Sequence, residues 1–217
     1  MEIKVIFEND DIAVIEKPNG MPSQPDRTGD FDAKTALEKI TGSECFIINR
    51  LDRPVGGAVL FAKNQKSAAE LTKILNNGKI EKTYTAVVCG KAEESGIMED
   101  FVLKNARTNT SVISDKNNKN AKKALLEYKK TGEVVSDEYG ILSLVKIHLL
   151  TGRHHQIRVQ FASRGLPLWG DTKYNAEFAK KRGYFATALW SSGVSLRYKN
   201  EDIDVESNPQ GKIFEIF

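Results

Sequence analysis

Period-two alternation is the feature that most restricts what this chain can fold into. In "KTYTAVVCG", Tyr84, Ala86 and Val88 fall on one side. Between Ile141 and Leu149, Val145, Ile147 and Leu149 face one way while Lys146 and His148 face the other. Successive strand side chains point to opposite faces, so both stretches predict half-buried strands. Ile3, Val5 and Phe7 also alternate, and Ile12–Ile15 is an apolar run beyond "ENDD". That order predicts a hairpin. Ala58–Ala62 reads as a short buried strand.

Helical spacing is rarer. Ala33, Leu37 and Ile40 share one helical face, with Gly42 as a fitting stop. Gln65–Asn77 predicts a helix with Ala68, Leu71 and Leu75 inward, ended by Asn77–Gly78. "KPNGMPSQP", Lys17–Pro25, is a Pro/Gly-rich loop. "TGRHHQIRVQFASRG" predicts a Gly turn and then an amphipathic helix, with Ile157 and Phe161 four apart, His154 and Arg158 likewise, and Gly165 as cap. Lys91–Gly96 and Ser114–Asn120 read as loops inside one domain. Strands outnumber helices and come in hairpins, so an α+β fold with a mixed, mostly antiparallel sheet is expected, as one domain over residues 1–217.

The 217 residues are 40% hydrophobic and 28% charged, ordinary for a soluble globular protein long enough to bury a core. No apolar run reaches the roughly 18 residues of a membrane span. "MEIKVIFENDDIAVIEK" lacks the basic, apolar, small-residue order of a signal peptide. Cys45 and Cys89 stand far apart with no metal-type spacing, so a reduced, cytoplasmic protein is expected. Net charge is only +3, but "DKNNKNAKKALLEYKK" holds six lysines against two acids, and Lys180, Lys181 and Arg182 form a second cluster. This segregation permits an electropositive face for nucleic acid; solvated lysine loops fit the charges equally well.

Candidate chemistry centres on "INRLDRPVGGAVLFAK". Asp52 lies between Arg50 and Arg53, whose charges favour its ionised form and suit it to a nucleophile more than to a general acid. A structural ion pair would look the same in sequence. Pro54 stiffens the exit, and Gly56–Gly57 lets another backbone or a ligand come close. Arg158 lies one helical turn beyond Thr151–Gly152, where its fork could reach a carboxylate. Tyr84 is a cross-strand tyrosine or a ring facing a cleft that Lys17 and Pro18 could line. Asp171, in "WGDTKY", reads as a turn or helix-start residue. His148 on a strand and His154 and His155 diverging on a helix do not make a metal set, and no metal is expected. GxxxxGK[ST], GxGxxG and GxSxG are all absent from the sequence.

In order, KPNGMP, RLDRPVGGAVLFAK, KTYTAVV, LLTGRHHQIRVQ and GD-x-KY resemble the RluA branch of the pseudouridine synthases, over about Ile3 to Leu189. The resemblance implies that the chain isomerises uridine in ribosomal or transfer RNA to pseudouridine, with no cofactor, on a base taken out of its stack. It implies a mostly antiparallel sheet with flanking helices and an active cleft. Asp52 is then the catalytic residue and Tyr84 packs on the target base. Arg158 ion-pairs with the aspartate, and Arg50 fills the space of the flipped nucleotide. Many relatives carry His where this chain has Asn49, a small hydroxyl residue at Gly56, Ser or Thr at His154, and His at Gln160. These departures bear on RNA choice and loop geometry. Structured RNA is the expected partner, with neither DNA nor membrane, for a monomer without a separate RNA-binding domain ahead of Ile3. Two other readings remain open: a non-catalytic RNA-binding relative, and a glycoside hydrolase, which would usually need a second facing acid.

Overall fold

The structure is a computed structural model that describes residues 2–183 and 185–217. Its elements are β1 (Lys4–Glu8), β2 (Ile12–Lys17), α1 (Ala33–Thr41), β3 (Phe46–Ile47), β4 (Gly56–Ala62), α2 (Gln65–Asn76), β5 (Ile80–Cys89) and β6 (Ser95–Asn105). There follow β7 (Thr110–Ser114), β8 (Lys122–Ser136), β9 (Gly140–Leu149), α3 (Gln156–Ala162), α4 (Ala176–Ala179), β10 (Leu189–Tyr198) and β11 (Glu201–Glu206). The chain divides into two compact units, Met1–Thr83 with Trp190–Gln210, and Tyr84–Leu189 with Gly211–Phe217.

In the first unit β1 and β2 form the expected hairpin. The Asn9 side chain closes its turn by accepting from the Asp11 and Ile12 amides at 3.0 and 2.8 Å. β2 pairs antiparallel with β4, and β10 runs parallel to the start of β4, through Trp190↔Gly56 and Ser191↔Gly57. β11 pairs with β10, and β3 with the end of β4, so the sheet is mixed. Every residue of β4 is buried, which explains its apolar run in place of alternation. Ile12, Val14, Leu60, Val194 and Leu196 form one core cluster with Leu71 of α2.

The glycine pair has a structural explanation. Gly57 has φ +110°, and a Cβ there would lie 2.3 Å from the Ser191 carbonyl oxygen. A Cβ on Gly56 would meet the Trp190 ring at 2.3 Å. Of the two sequence alternatives, backbone or ligand, the close neighbour at Gly57 is the β10 backbone.

Both predicted helices of this unit form. Asp32 caps α1 by accepting from the Thr35 amide at 3.0 Å, and Gly42 ends it at φ 68°. Asn64 caps α2 in the same way through Ser67. The apolar face of α1 is Ala33, Ala36 and Leu37; Ile40 is 57% exposed, against the sequence expectation. It stands in the last turn, beyond the stripe that is covered.

In the second unit β9, β8, β6 and β7 form an antiparallel run, with β5 beside β9. Ala124 joins Val102 and Val159 in one small core; Val87, Leu142 and Ala188 make another, against which Phe214 and Phe217 pack. The segments read as loops are partly strand: β6 starts at Ser95 and β7 runs to Ser114. Among the described residues no helix is long and apolar enough to cross a membrane.

Candidate active site

Asp52 lies in the loop before β4 and is half-buried. Its neighbours on both sides are held by the "KPNGMPS" loop. The Ser23 hydroxyl donates to the Leu51 carbonyl at 2.8 Å and accepts from the Leu51 amide at 3.1 Å. The Gly20 amide donates to the Arg53 carbonyl at 2.7 Å. The Arg53 Nε donates back to the Gly20 carbonyl at 3.1 Å. The Asp52 carbonyl accepts from the Val55 amide at 3.0 Å, closing the turn at Pro54. The first loop therefore fixes the backbone that carries the carboxylate.

Lys17, the last residue of β2, is fully buried. Its ammonium donates to the carbonyls of Met21 (2.8 Å), Pro18 (3.1 Å) and Arg53 (3.4 Å). Burial pulls its pKa down to about 7; the negative charge of Asp52 opposes that shift and Arg53 adds to it. Its head group thus lies among backbone carbonyls, where the sequence reading had it lining a cleft.

The two arginines around Asp52 differ. Arg53 is engaged by Asp30 through an ion pair, by Thr28 Oγ1 and by the Gly20 carbonyl. Sequence adjacency therefore misidentifies its carboxylate partner. Arg50 is exposed. Asn49, one position earlier, uses its side-chain oxygen to accept from the Leu60 amide at 2.7 Å, which ties the start of the loop to β4.

In the second unit the "TGRHHQIR" segment folds around Gln156. Its Oε1 accepts from the Thr151 hydroxyl (2.8 Å) and the Arg153 amide (3.0 Å), while its Nε2 donates to the Leu125 carbonyl (3.2 Å). His155 takes a left-handed conformation, φ 54°, to start α3. The helix is not amphipathic as predicted, since Gln156 through Phe161 are all buried. His154 and His155 precede it, and their rings stack with centroids 3.8 Å apart where the sequence reading had them diverging. His154 Nδ1 lies 2.9 Å from Ser111 Oγ, and His155 Nδ1 lies 2.8 Å from the Tyr174 hydroxyl.

Arg158 is 2% exposed and forks onto a carboxylate that the sequence reading assigned only to a turn. Its Nε donates to Asp171 Oδ2 and its Nη2 to Asp171 Oδ1, both at 2.7 Å. Asp171 Oδ1 also accepts from the Lys173 amide (2.9 Å) and the Tyr174 amide (3.2 Å). Asp171 is fully buried, so these donors replace water around its charge. The Arg158 guanidinium also lies over the Tyr174 ring, 5.2 Å from its centroid. Tyr84, on β5, is 6% exposed. Asp52 and Arg50 thus belong to the first unit, Tyr84 and Arg158 to the second.

The lysine-rich stretches are partly neutralised. Lys123 pairs with Glu99, Lys130 with Glu94 and Glu133, and Lys181 with Glu138. Sequence reasoning missed the buried Ser23, in the loop "KPNGMPS"; it read Asp171 as a turn or helix-start residue, which the Lys173 and Tyr174 amide contacts bear out, and missed only its pairing with Arg158.

A family model described as RNA pseudouridylate synthase matches residues 11–163, a span holding Lys17, Asp52, Tyr84 and Arg158. The ribosomal large subunit pseudouridine synthase C of Rickettsia bellii is 32% identical over 173 residues, 78% of this chain and 56% of that protein. The mitochondrial tRNA pseudouridine(32) synthase of Saccharomyces cerevisiae is 34% identical over 178 residues, 80% of this chain and 37% of that protein. Among solved structures, human RNA Pseudouridylate Synthase Domain Containing 1 aligns with a TM-score of 0.82 over 95% of this chain and 83% of that chain, at 20% identity, which is a likeness of fold. The chain spans about half the length of the curated relatives it matches.

Proposed function

The chain belongs to the RNA pseudouridylate synthase family, and on that premise we propose that it isomerises uridine in ribosomal or transfer RNA to pseudouridine. The bond from the ribose C1′ to uracil N1 breaks and a bond from C1′ to C5 forms. The C5 proton leaves and N1 ends protonated, so no atom or electron is gained or lost and no cofactor is required. A base inside a helix cannot turn, so the target nucleotide is taken out of its stack first.

In this reading Asp52 is the catalytic carboxylate, Tyr84 stacks on the extruded ring, and Arg50, exposed at the mouth of the loop, occupies the space the nucleotide leaves. Arg158, as the family resemblance implies, is assigned to ion-pair with that aspartate. The observation that carries the reading is the bracing of the Asp52 loop. Ser23 holds Leu51, and Gly20 and Lys17 hold Arg53, so the backbone on both sides of one carboxylate is fixed before substrate arrives. A loop that merely bound phosphates would not need an acid at its centre.

Release of tritium from RNA labelled at uracil C5 tests it. The wild-type chain should release tritium and leave pseudouridine in the product. Asp52→Asn should stay folded by circular dichroism and release none. RNA binding by the wild type without release would instead identify a non-catalytic relative.

A further inference from the structure

Beside the Asp52 loop, and wholly within the first unit, a cavity of about 280 Å³ is lined by Gly20, Met21, Pro22, Asp30, Phe31 and Arg53. None of the roles assigned above uses it. Phe31 is 47% exposed, and Lys39 lies over its ring at 4.8 Å from the centroid. Arg53 follows Asp52 directly in the chain, so a ligand in this cavity would sit close to the reacting nucleoside.

We propose that this cavity takes the base of a nucleotide flanking the target uridine, stacked on Phe31 and read at its edge by the Arg53–Asp30 pair. The inference rests on the functional reading above and deepens it, because the occupant is part of the same RNA. The ring decides between base and phosphate. Asp30 engages Arg53, and Asp26, whose carboxylate accepts from Thr28 at 2.6 and 2.9 Å, stands next to Arg27 in the same loop, so the charges there largely offset one another. An exposed aromatic face offers a phosphate nothing and a base a stacking partner, and an ion pair held in place offers that base both a donor and an acceptor. Aromatic stacking tolerates any base, so the contribution to choice among sequences would come from the Arg53–Asp30 edge.

The test uses a fragment of transfer or ribosomal RNA that the wild-type chain modifies, made with the base removed in turn at each of the two positions on either side of the target. For the wild type, one abasic position should weaken binding by about fivefold or more. Phe31→Ala should weaken binding of the intact RNA by a similar factor and lose sensitivity to that abasic position. Phe31→Trp should restore both. The proposal is overturned if Phe31→Ala binds intact RNA as the wild type does, or if its loss is the same on intact and abasic RNA. A wild-type chain that modifies no RNA sinks the functional reading itself, and this subsite with it, and that outcome is distinct from a Phe31 result on an active enzyme.

Discussion

Arg158 and Asp171 form a buried two-pronged ion pair, with both nitrogen–oxygen distances at 2.7 Å and side chains 3% and 0% exposed. Thirteen residues separate them. The pair fastens the start of α3 to the "GDTKY" turn, and the same carboxylate holds that turn through the Lys173 and Tyr174 amides. Removing Asp171 takes both of these hydrogen bonds from a buried guanidinium, and breaking a buried pair costs about 3–5 kcal/mol. Asp171→Ala should therefore lower the unfolding free energy in urea by that order. Arg158→Lys should not rescue function, because a point ammonium cannot reproduce the fork. A loss below about 1 kcal/mol for Asp171→Ala would show that the pair is not holding this turn.

How much of this was legible in the sequence follows from where the information sits. β1, β2, β4, β5 and β9 and helices α1 and α2 carry their own periodicity or caps. Ile12–Ile15 and the cap at Gly42 needed no tertiary knowledge. The family motifs pointed to Asp52, Tyr84 and Arg158 as site residues. β8 was missed because lysines interrupt its pattern: Ala124 and Leu126 face inward within a stretch read for its charge. β6 carries Glu99 and Asp100 in its middle, and β7 is only five residues long. Partners remote in sequence were illegible. Arg53 stands next to Asp52 but pairs with Asp30, and Asp171 looked only like a turn residue because its second role depends on how the chain folds back between α3 and the "GDTKY" turn.

Lys17 makes stability depend on pH in a definite direction. Its ordinary pKa is 10.5, and burial lowers it to about 7 in the folded chain. Between those values the unfolded state binds more protons than the folded state. Stability contributed by this group therefore rises with pH, by up to about 1.4 kcal/mol per pH unit, and is flat below the folded value. Lys17→Met removes the titration. The wild type should gain stability relative to Lys17→Met from pH 7 to pH 9 and hold a constant difference from pH 5 to pH 6.5, as read by urea unfolding at each pH. Parallel curves across the whole range would mean that the amine does not titrate there.

Gly57 and Gly78 separate two effects of adding a methyl group. Both have positive φ, +110° and +69°. A Cβ at Gly57 would lie within 3 Å of three backbone atoms of Ser191, while one at Gly78 meets nothing within 4 Å. Gly78→Ala should lose about 1 kcal/mol from backbone strain alone. Gly57→Ala should lose clearly more, because β4 and β10 must separate where they pair in parallel. Thermal unfolding of the two variants side by side checks this, and equal losses would contradict the close approach.

Tyr84 offers two separable groups, a ring and a hydroxyl. It lies on the inward row of β5 with Ala86 and Val88, and is 6% exposed. If it stacks on the target base, the ring supplies affinity and the hydroxyl acts only in turnover. Tyr84→Phe keeps the ring, so RNA binding by fluorescence anisotropy should stay within about twofold of wild type while tritium release changes. Tyr84→Leu removes the π face and should lose about 1–3 kcal/mol of binding. Because the position is buried, both variants are compared at equal folded fraction, set by circular dichroism. Should Tyr84→Phe lose as much affinity as Tyr84→Leu, the hydroxyl and not the ring is the binding element, and the stacking role is wrong.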